Sequence, residues 1–138
     1  MIGVLMVTHG EIGTALLASA SQILGGAPAQ VLTLSVWRQD DPDDLVLRAR
    51  ELLEQLDAGD GVLVLTDIFG ATPGNVVSRL LDDGHIEGVS GVSLPMLLRV
   101  VTGRNGSRGN KLRGAVQRAI SGGAEGVVHM NSDRCLDT

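Results

Sequence analysis

Met1-Ile2-Gly3-Val4-Leu5-Met6-Val7-Thr8-His9-Gly10 opens the chain as an apolar run that ends on a histidine and a glycine. Ile2 to Val7 has the content of a strand buried on both faces. Past the His9-Gly10 turn, Ile12, Ala15, Leu16, Ala20, Ile23 and Leu24 keep a helical spacing over Ile12 to Leu24, and Gly25-Gly26 stops that helix. The alternation then continues. Val31 to Trp37 reads as a second strand, followed by an acidic loop in which Asp41 caps, Pro42 takes the first helical position, and Asp43 and Asp44 favour the positive end of a helix running to about Leu56. Gly61 to Thr66, almost pure Val and Leu, reads as a third strand in the middle of the sheet.

Further along, the pattern predicts a helix from about Pro73 to Leu81 and a fourth strand at Val89 to Val92, with Ile86 as its outer limit. Ser93 caps a helix from Leu94-Pro95 to near Gly103. A polar, Gly-rich loop, Arg104 to Asn110, leads to a last helix, Lys111 to Ile120, and a short strand, Gly126 to Met130. No repeat or linker interrupts the series. The expectation is one domain spanning 1–138, an α/β fold with an open doubly wound sheet.

Composition narrows the function. Of the 138 residues, 43% are hydrophobic, yet there is one Phe, one Trp and no Tyr, so the core is aliphatic, as suits a parallel sheet covered on both faces. The formal net charge of −5 lacks the basic footprint of phosphate-backbone binding, which argues against nucleic acid. The single Cys, Cys135, forms no internal disulfide and fits a reducing compartment. No apolar stretch reaches the roughly 20 residues that cross a bilayer. The amino terminus has neither a basic region nor a cleavage site. A cytoplasmic protein with no direct membrane insertion is expected.

Topology carries these elements to a site. In the flavodoxin-like strand order, strands one and three are neighbours and their helices leave to opposite faces, opening a crevice at the carboxyl ends. His9 follows strand one and Asp67 follows strand three, so this order brings them together. A carboxylate that accepts a hydrogen bond from one imidazole nitrogen fixes the tautomer and leaves the other nitrogen as a nucleophile. After Asp67, the loop residues Gly70, Ala71 and Thr72 lead into a helix starting at Pro73, whose unpaired N–H groups and positive dipole end suit a phosphoryl group. Gly74 permits a close approach and Asn75 braces the loop. The reading is a histidine that accepts a phosphoryl group and passes it on.

Plainer readings stand beside this one. Asp67 also suits a helix cap, and Trp37 either roofs the core or anchors a partner at the sheet edge. Capping accounts for Asp40, Asp41, Asp43 and Asp44 without a metal, and the basic run from Arg99 to Arg118 reads as a solvated face open to an acidic partner. His85 and His129 read as surface or interface residues. Histidine phosphatases also place His-Gly after a first strand, but with Arg immediately before the histidine, where Thr8 stands here.

Strand-Thr8-His9-Gly10, Asp67-Ile68-Phe69-Gly70-Ala71-Thr72-Pro73-Gly74-Asn75 and Gly91-Val92-Ser93-Leu94-Pro95-Met96-Leu97 resemble, in order and spacing, three signature segments of the mannose-class IIA proteins of the bacterial phosphoenolpyruvate-dependent sugar phosphotransferase system. The resemblance covers nearly the whole chain. It implies a protein-histidine phosphotransferase subunit with strand order 2-1-3-4. His9 would be phosphorylated by HPr and would donate to a separate IIB protein, with Asp67 orienting it and Thr72, where the family usually has Ser, beside the phosphate. It further implies a homodimer in which a carboxyl-terminal strand, here Gly126 to Met130, pairs antiparallel with the partner's sheet. No metal or organic cofactor is implied. Arg99 stands where the family commonly has an acidic residue, so the partner surface differs. A regulatory phosphoprotein, in which the charge added at His9 switches partner binding without sugar transport, is the alternative. The related domain that feeds dihydroxyacetone kinases lacks the Thr72-to-Asn75 character.

Overall fold

The computed structural model describes residues 1–104 and 111–133. Strands β1 (Gly3–His9), β2 (Val31–Val36), β3 (Val62–Thr66) and β4 (Ile86–Ser90) alternate with helices α1 (Ile12–Leu24), α2 (Pro42–Leu56), α3 (Thr72–Ser78) and α4 (Leu94–Thr102). Helices α5 (Leu112–Glu125) and α6 (Met130–Asp133) follow. All strand pairs are parallel and the order is β2-β1-β3-β4, the expected one.

The aliphatic strands work because both faces are covered. Val4 and Met6 of β1 and Leu63 and Leu65 of β3 point into a core closed by Ala20 of α1, Met96, Leu97 and Val100 of α4, and Leu112, Ala115 and Ala119 of α5. Their sequence neighbours Leu5, Val7, Val62 and Val64 point the other way, onto Leu45, Ala49 and Leu53 of α2 and Val76 and Val77 of α3. Each fully buried Leu or Val side chain contributes roughly 1.5–3 kcal/mol. Because α1 and α3 pack on opposite faces, the sheet divides at the carboxyl ends of β1 and β3.

Several local expectations hold in atomic detail. Asp41 caps α2 by accepting from Asp43 N at 2.9 Å, with Pro42 next in the first turn. Ser93 caps α4 by accepting from Met96 N at 3.3 Å.

Other expectations are corrected. The third helix stops at Ser78, three residues early, because the chain turns so that Leu80 enters the core. The fourth strand begins at Ile86, the outer limit expected, and ends at Ser90 instead of Val92, set by pairing with Val62 to Thr66. The last helix runs on to Glu125 because Gly122 and Gly123 pack against Arg99 and Met96 of α4, and the Arg99–Glu125 ion pair (2.9 Å) joins the same two helices. Gly126 to Met130 is consequently not a strand in this chain: Val127 and Val128 are exposed and, among the described residues, pair with no strand. The basic run is not wholly a solvated face either. Arg104 is 3% exposed, its guanidinium donating to the carbonyls of Ile2 (2.9 Å), Ala29 (2.8 Å) and Gln30 (3.4 Å). Burial disfavours its charged form and lowers its pKa, while the three carbonyls hold it in place. Arg108 and Cys135 lie outside the described residues.

Candidate functional site

β1 delivers His9 to the end of the sheet, and the register that pairs Val7 with Thr66 sets Asp67 beside it from β3. His9 Nδ1 lies 2.9 Å from Asp67 Oδ2, and the same oxygen accepts from the His9 backbone N at 3.1 Å. Asp67 Oδ1 accepts from Ile68 N at 3.1 Å. An ionised carboxylate only accepts, so the proton sits on Nδ1 and Nε2 keeps its lone pair. Among the described residues Nε2 has no hydrogen-bond partner, and the His9 side chain is 48% exposed. Asp67 thus bonds the His9 ring and is not the cap of α3, whose cap position belongs to Ala71.

Burial by itself raises the Asp67 pKa. The hydrogen bonds from the His9 ring and backbone outweigh it and hold the carboxyl below its ordinary value. Asp67 is therefore ionised at neutral pH.

The turn around His9 is built by Thr8, Gly10 and Trp37. Thr8 is buried, and its hydroxyl accepts from Gly13 N at 2.8 Å, tying β1 to the first turn of α1. Gly10 has a φ of 48°, and a Cβ there would meet the Trp37 ring at 3.3 Å. That close approach places the Trp37 ring over the turn after β1 while leaving it 47% exposed. Trp37 itself is held by Asp40, whose Oδ2 accepts from Trp37 N at 2.8 Å and whose backbone N donates to Trp37 O at 3.0 Å.

His9, Val36, Trp37, Arg38, Asp40, Pro42 and Thr72 line one cavity of about 520 Å³. The fold brings Thr72 to the same cavity as His9, as the sequence suggests; Gly70 and Ala71 are not among its walls. Pro73 is buried in α3, and Asn75 is exposed, its backbone N donating to Ala71 O at 2.9 Å. Gly74 permits a close approach of its own loop: a Cβ there would stand 3.1 Å from Ile68 O. Ile68 and Phe69 are 55% and 80% exposed at the sheet end.

The other conspicuous residues lie elsewhere. His85 Nε2 meets Asp57 Oδ2 at 2.8 Å at the amino end of the sheet, and His129 Nδ1 meets Ser132 Oγ at 2.7 Å near α6. Three members of the acidic cluster have partners, two within their own loop and one at the end of α3: Asp40 with Trp37 N, Asp41 with Asp43 N, and Asp43 with Arg79 at 2.8 Å. Among the described residues no group of three or more His, Cys, Asp or Glu could hold a metal ion, and no helix is long and apolar enough to cross a membrane.

Comparison with known proteins gives consistent matches. Residues 3–117 match the family described as PTS system fructose IIA component. The chain is 31% identical over 127 residues to the PTS system mannose-specific EIIAB component of Escherichia coli, covering 91% of this chain and 38% of that protein. It is 30% identical over 103 residues to the PTS system fructose-specific EIIA component of Bacillus subtilis, covering 74% of this chain and 70% of that one. Among solved structures, the phosphotransferase system component EIIA from Streptococcus agalactiae superposes with a TM-score of 0.83 at 27% identity, covering 96% of this chain and 99% of that one.

Proposed function

Because the chain belongs to the PTS fructose IIA component family, we propose that it is a phosphoryl carrier of the sugar phosphotransferase system, accepting phosphate from phospho-HPr on His9 and passing it to a IIB protein. The observation that carries this reading is the bond from His9 Nδ1 to Asp67 Oδ2, which leaves Nε2 as the nucleophile.

In the transfer, the N–P bond of the donor phosphohistidine breaks with its electron pair on the donor nitrogen. The Nε2 lone pair of His9 forms the new N–P bond. The His9 ring then carries positive charge, which the Asp67 carboxylate offsets through Nδ1–H. The Thr72 hydroxyl and the Gly70 and Ala71 N–H groups are assigned to the phosphoryl oxygens, with Pro73 and Asn75 supporting their loop. Positioning and charge supply most of the catalysis in phosphoryl transfer, so the mechanism needs no metal or organic cofactor. Two copies would associate through the 126–130 segment, which becomes a strand only on the partner's sheet edge.

The test is incorporation of acid-labile phosphate from phosphoenolpyruvate, enzyme I and HPr. Labelling of the unaltered protein and its loss in His9→Ala are expected; undiminished labelling of the variant sinks the assignment. Adding candidate IIB proteins then separates a transport carrier, which discharges, from a regulatory phosphoprotein, which keeps its phosphate until a different partner docks.

A further inference from the structure

The cavity beside His9 contains a cation that the mechanism above does not use. Arg38 follows Trp37 in the short turn closed at both ends by Asp40, so its backbone is fixed while its side chain is exposed. The packing of Trp37 over Gly10 fastens this turn to the loop that carries His9. Arg38 therefore lines the same cavity as His9 and Thr72, with the three contributed by the loops after β2 and β1 and by the start of α3.

Charge at this position is unusual for its surroundings. Asp40, Asp41, Asp43 and Asp44 all lie within six residues of Arg38, yet among the described residues no carboxylate comes within ion-pair distance of it. Asp40, the one acid on the cavity wall, already accepts from Trp37 N, and Asp43 is paired with Arg79. A guanidinium presents up to five donors in a planar fork suited to phosphoryl oxygens, and hydrogen bonds between charged partners are about twice as strong as neutral ones. A phosphoryl group on Nε2 carries two negative charges into a site where the nearest fixed charge, Asp67, is itself negative.

The geometry points to Arg38 as a residue that, with Thr72 on the same cavity wall, binds the phosphoryl oxygens and offsets the charge that arrives on His9. The proposal rests on the reading of His9 as the phosphoryl acceptor. It adds a catalytic residue outside the three segments that carry the family resemblance. Arg38 acts after the donor nitrogen has begun to leave, when negative charge on the transferring group is spread over its oxygens.

A small donor, phosphoramidate, tests this without a protein partner: its P–N bond breaks, the nitrogen leaves as ammonia after taking a proton from water, and Nε2 takes the phosphoryl group. Labelling rates would be compared for the unaltered protein, Arg38→Gln, Arg38→Lys and His9→Ala, with circular dichroism to verify folding. Arg38→Gln is expected to label roughly tenfold or more slowly, Arg38→Lys to recover part of that rate because it keeps the charge without the fork, and His9→Ala not to label. Salt should slow the unaltered protein more than Arg38→Gln. If Arg38→Gln labels at the unaltered rate while His9→Ala does not, the Arg38 role is overturned and His9 stands. A deficit of Arg38→Gln seen only with phospho-HPr also overturns it, since Arg38 would then dock the carrier rather than hold the phosphoryl group. Equal labelling of His9→Ala and the unaltered protein overturns both readings.

Discussion

Two histidine–aspartate pairs sit at opposite ends of one sheet, nearly identical in length and different in consequence. His9 and Asp67 meet at 2.9 Å at the carboxyl ends of β1 and β3; His85 and Asp57 meet at 2.8 Å just before β4 and β3 begin. Asp57 Oδ1 also accepts from Gly59 N (2.8 Å) and Gly61 N (3.4 Å), so that pair closes the turn between α2 and β3 and ties it to the start of β4. Asp67 fixes the ring of His9, which lines a cavity of about 520 Å³, while His85 and Asp57 line a smaller one of about 220 Å³. Neither the pair nor a neighbouring cavity therefore separates the two places; their ends of the sheet do. At the carboxyl ends, helices diverging to opposite faces leave a crevice, whereas at the amino ends the same bond serves as a latch.

The contrast is tested most sharply by exchanging the two histidines' fates. Beside the complete loss of labelling expected for His9→Ala, His85→Ala should label at the unaltered rate and lose only a little thermal stability. A transfer defect in His85→Ala comparable to that of His9→Ala would show that the ends are coupled and that the amino-end pair is more than a latch.

The second largest effect belongs to the amino end. Arg104→Met keeps most of the volume and removes the donors to Ile2, Ala29 and Gln30. Leaving those carbonyls without this donor is expected to cost about 3 kcal/mol, a fall in Tm of roughly 10 °C. Phosphoryl transfer at a temperature where the variant remains folded should be nearly unchanged. A thermal midpoint within a degree or two of the unaltered protein would mean that water replaces the guanidinium freely.

Arg104 also shows where the sequence stops being legible. The strands and helices were readable because apolar runs of five to seven residues alternate with 3.6-residue periodicity, and because Asp41, Pro42 and Ser93 are local signals acting on N–H groups two or three residues away. His9 and Asp67 were readable because a parallel α/β order has few alternatives, and that order brings the ends of strands one and three together. Arg104, in contrast, binds carbonyls 74 to 102 residues away, and a carbonyl acceptor leaves no mark on residue identity. Its Gly-rich, polar context reads as surface. Val127-Val128 misleads in the opposite direction: β-branched residues suit a strand, but a strand exists only where an edge is available to pair with. Arg38 had no periodic or motif signal, and only the packing of Trp37 on Gly10 brings it to the cavity that His9 also lines.

A milder comparison replaces each aspartate by its amide. In Asp67→Asn the side chain no longer compels Nδ1 to hold the proton and no longer offsets charge on the phosphorylated ring, so transfer should slow by roughly a hundredfold with the fold intact. Asp57→Asn keeps an oxygen that accepts from Gly59 N; it should cost about 1 kcal/mol of stability and leave transfer unaltered. Transfer by Asp67→Asn within twofold of the unaltered rate would reduce Asp67 to a structural role like that of Asp57.

The smallest expected effect is a pH dependence that both pairs share. Hydrogen bonding from Gly59 is the main cause holding the Asp57 pKa below 3.8, and the His9 bonds outweigh burial to hold that of Asp67 below the same value. Each folded-state pKa is therefore depressed relative to the unfolded chain. The associated stability is fully present above the unfolded value and is lost as pH falls through the folded values. Partial exposure keeps the contribution below about 1 kcal/mol per pair. Urea unfolding between about pH 6 and pH 3 should show a shallow acid-side loss, reduced in Asp57→Asn and again in the double amide variant. If the acid-side slope is the same in all three proteins, neither aspartate is held by its histidine or its turn, and the equivalence of the two pairs that makes their contrast informative would disappear.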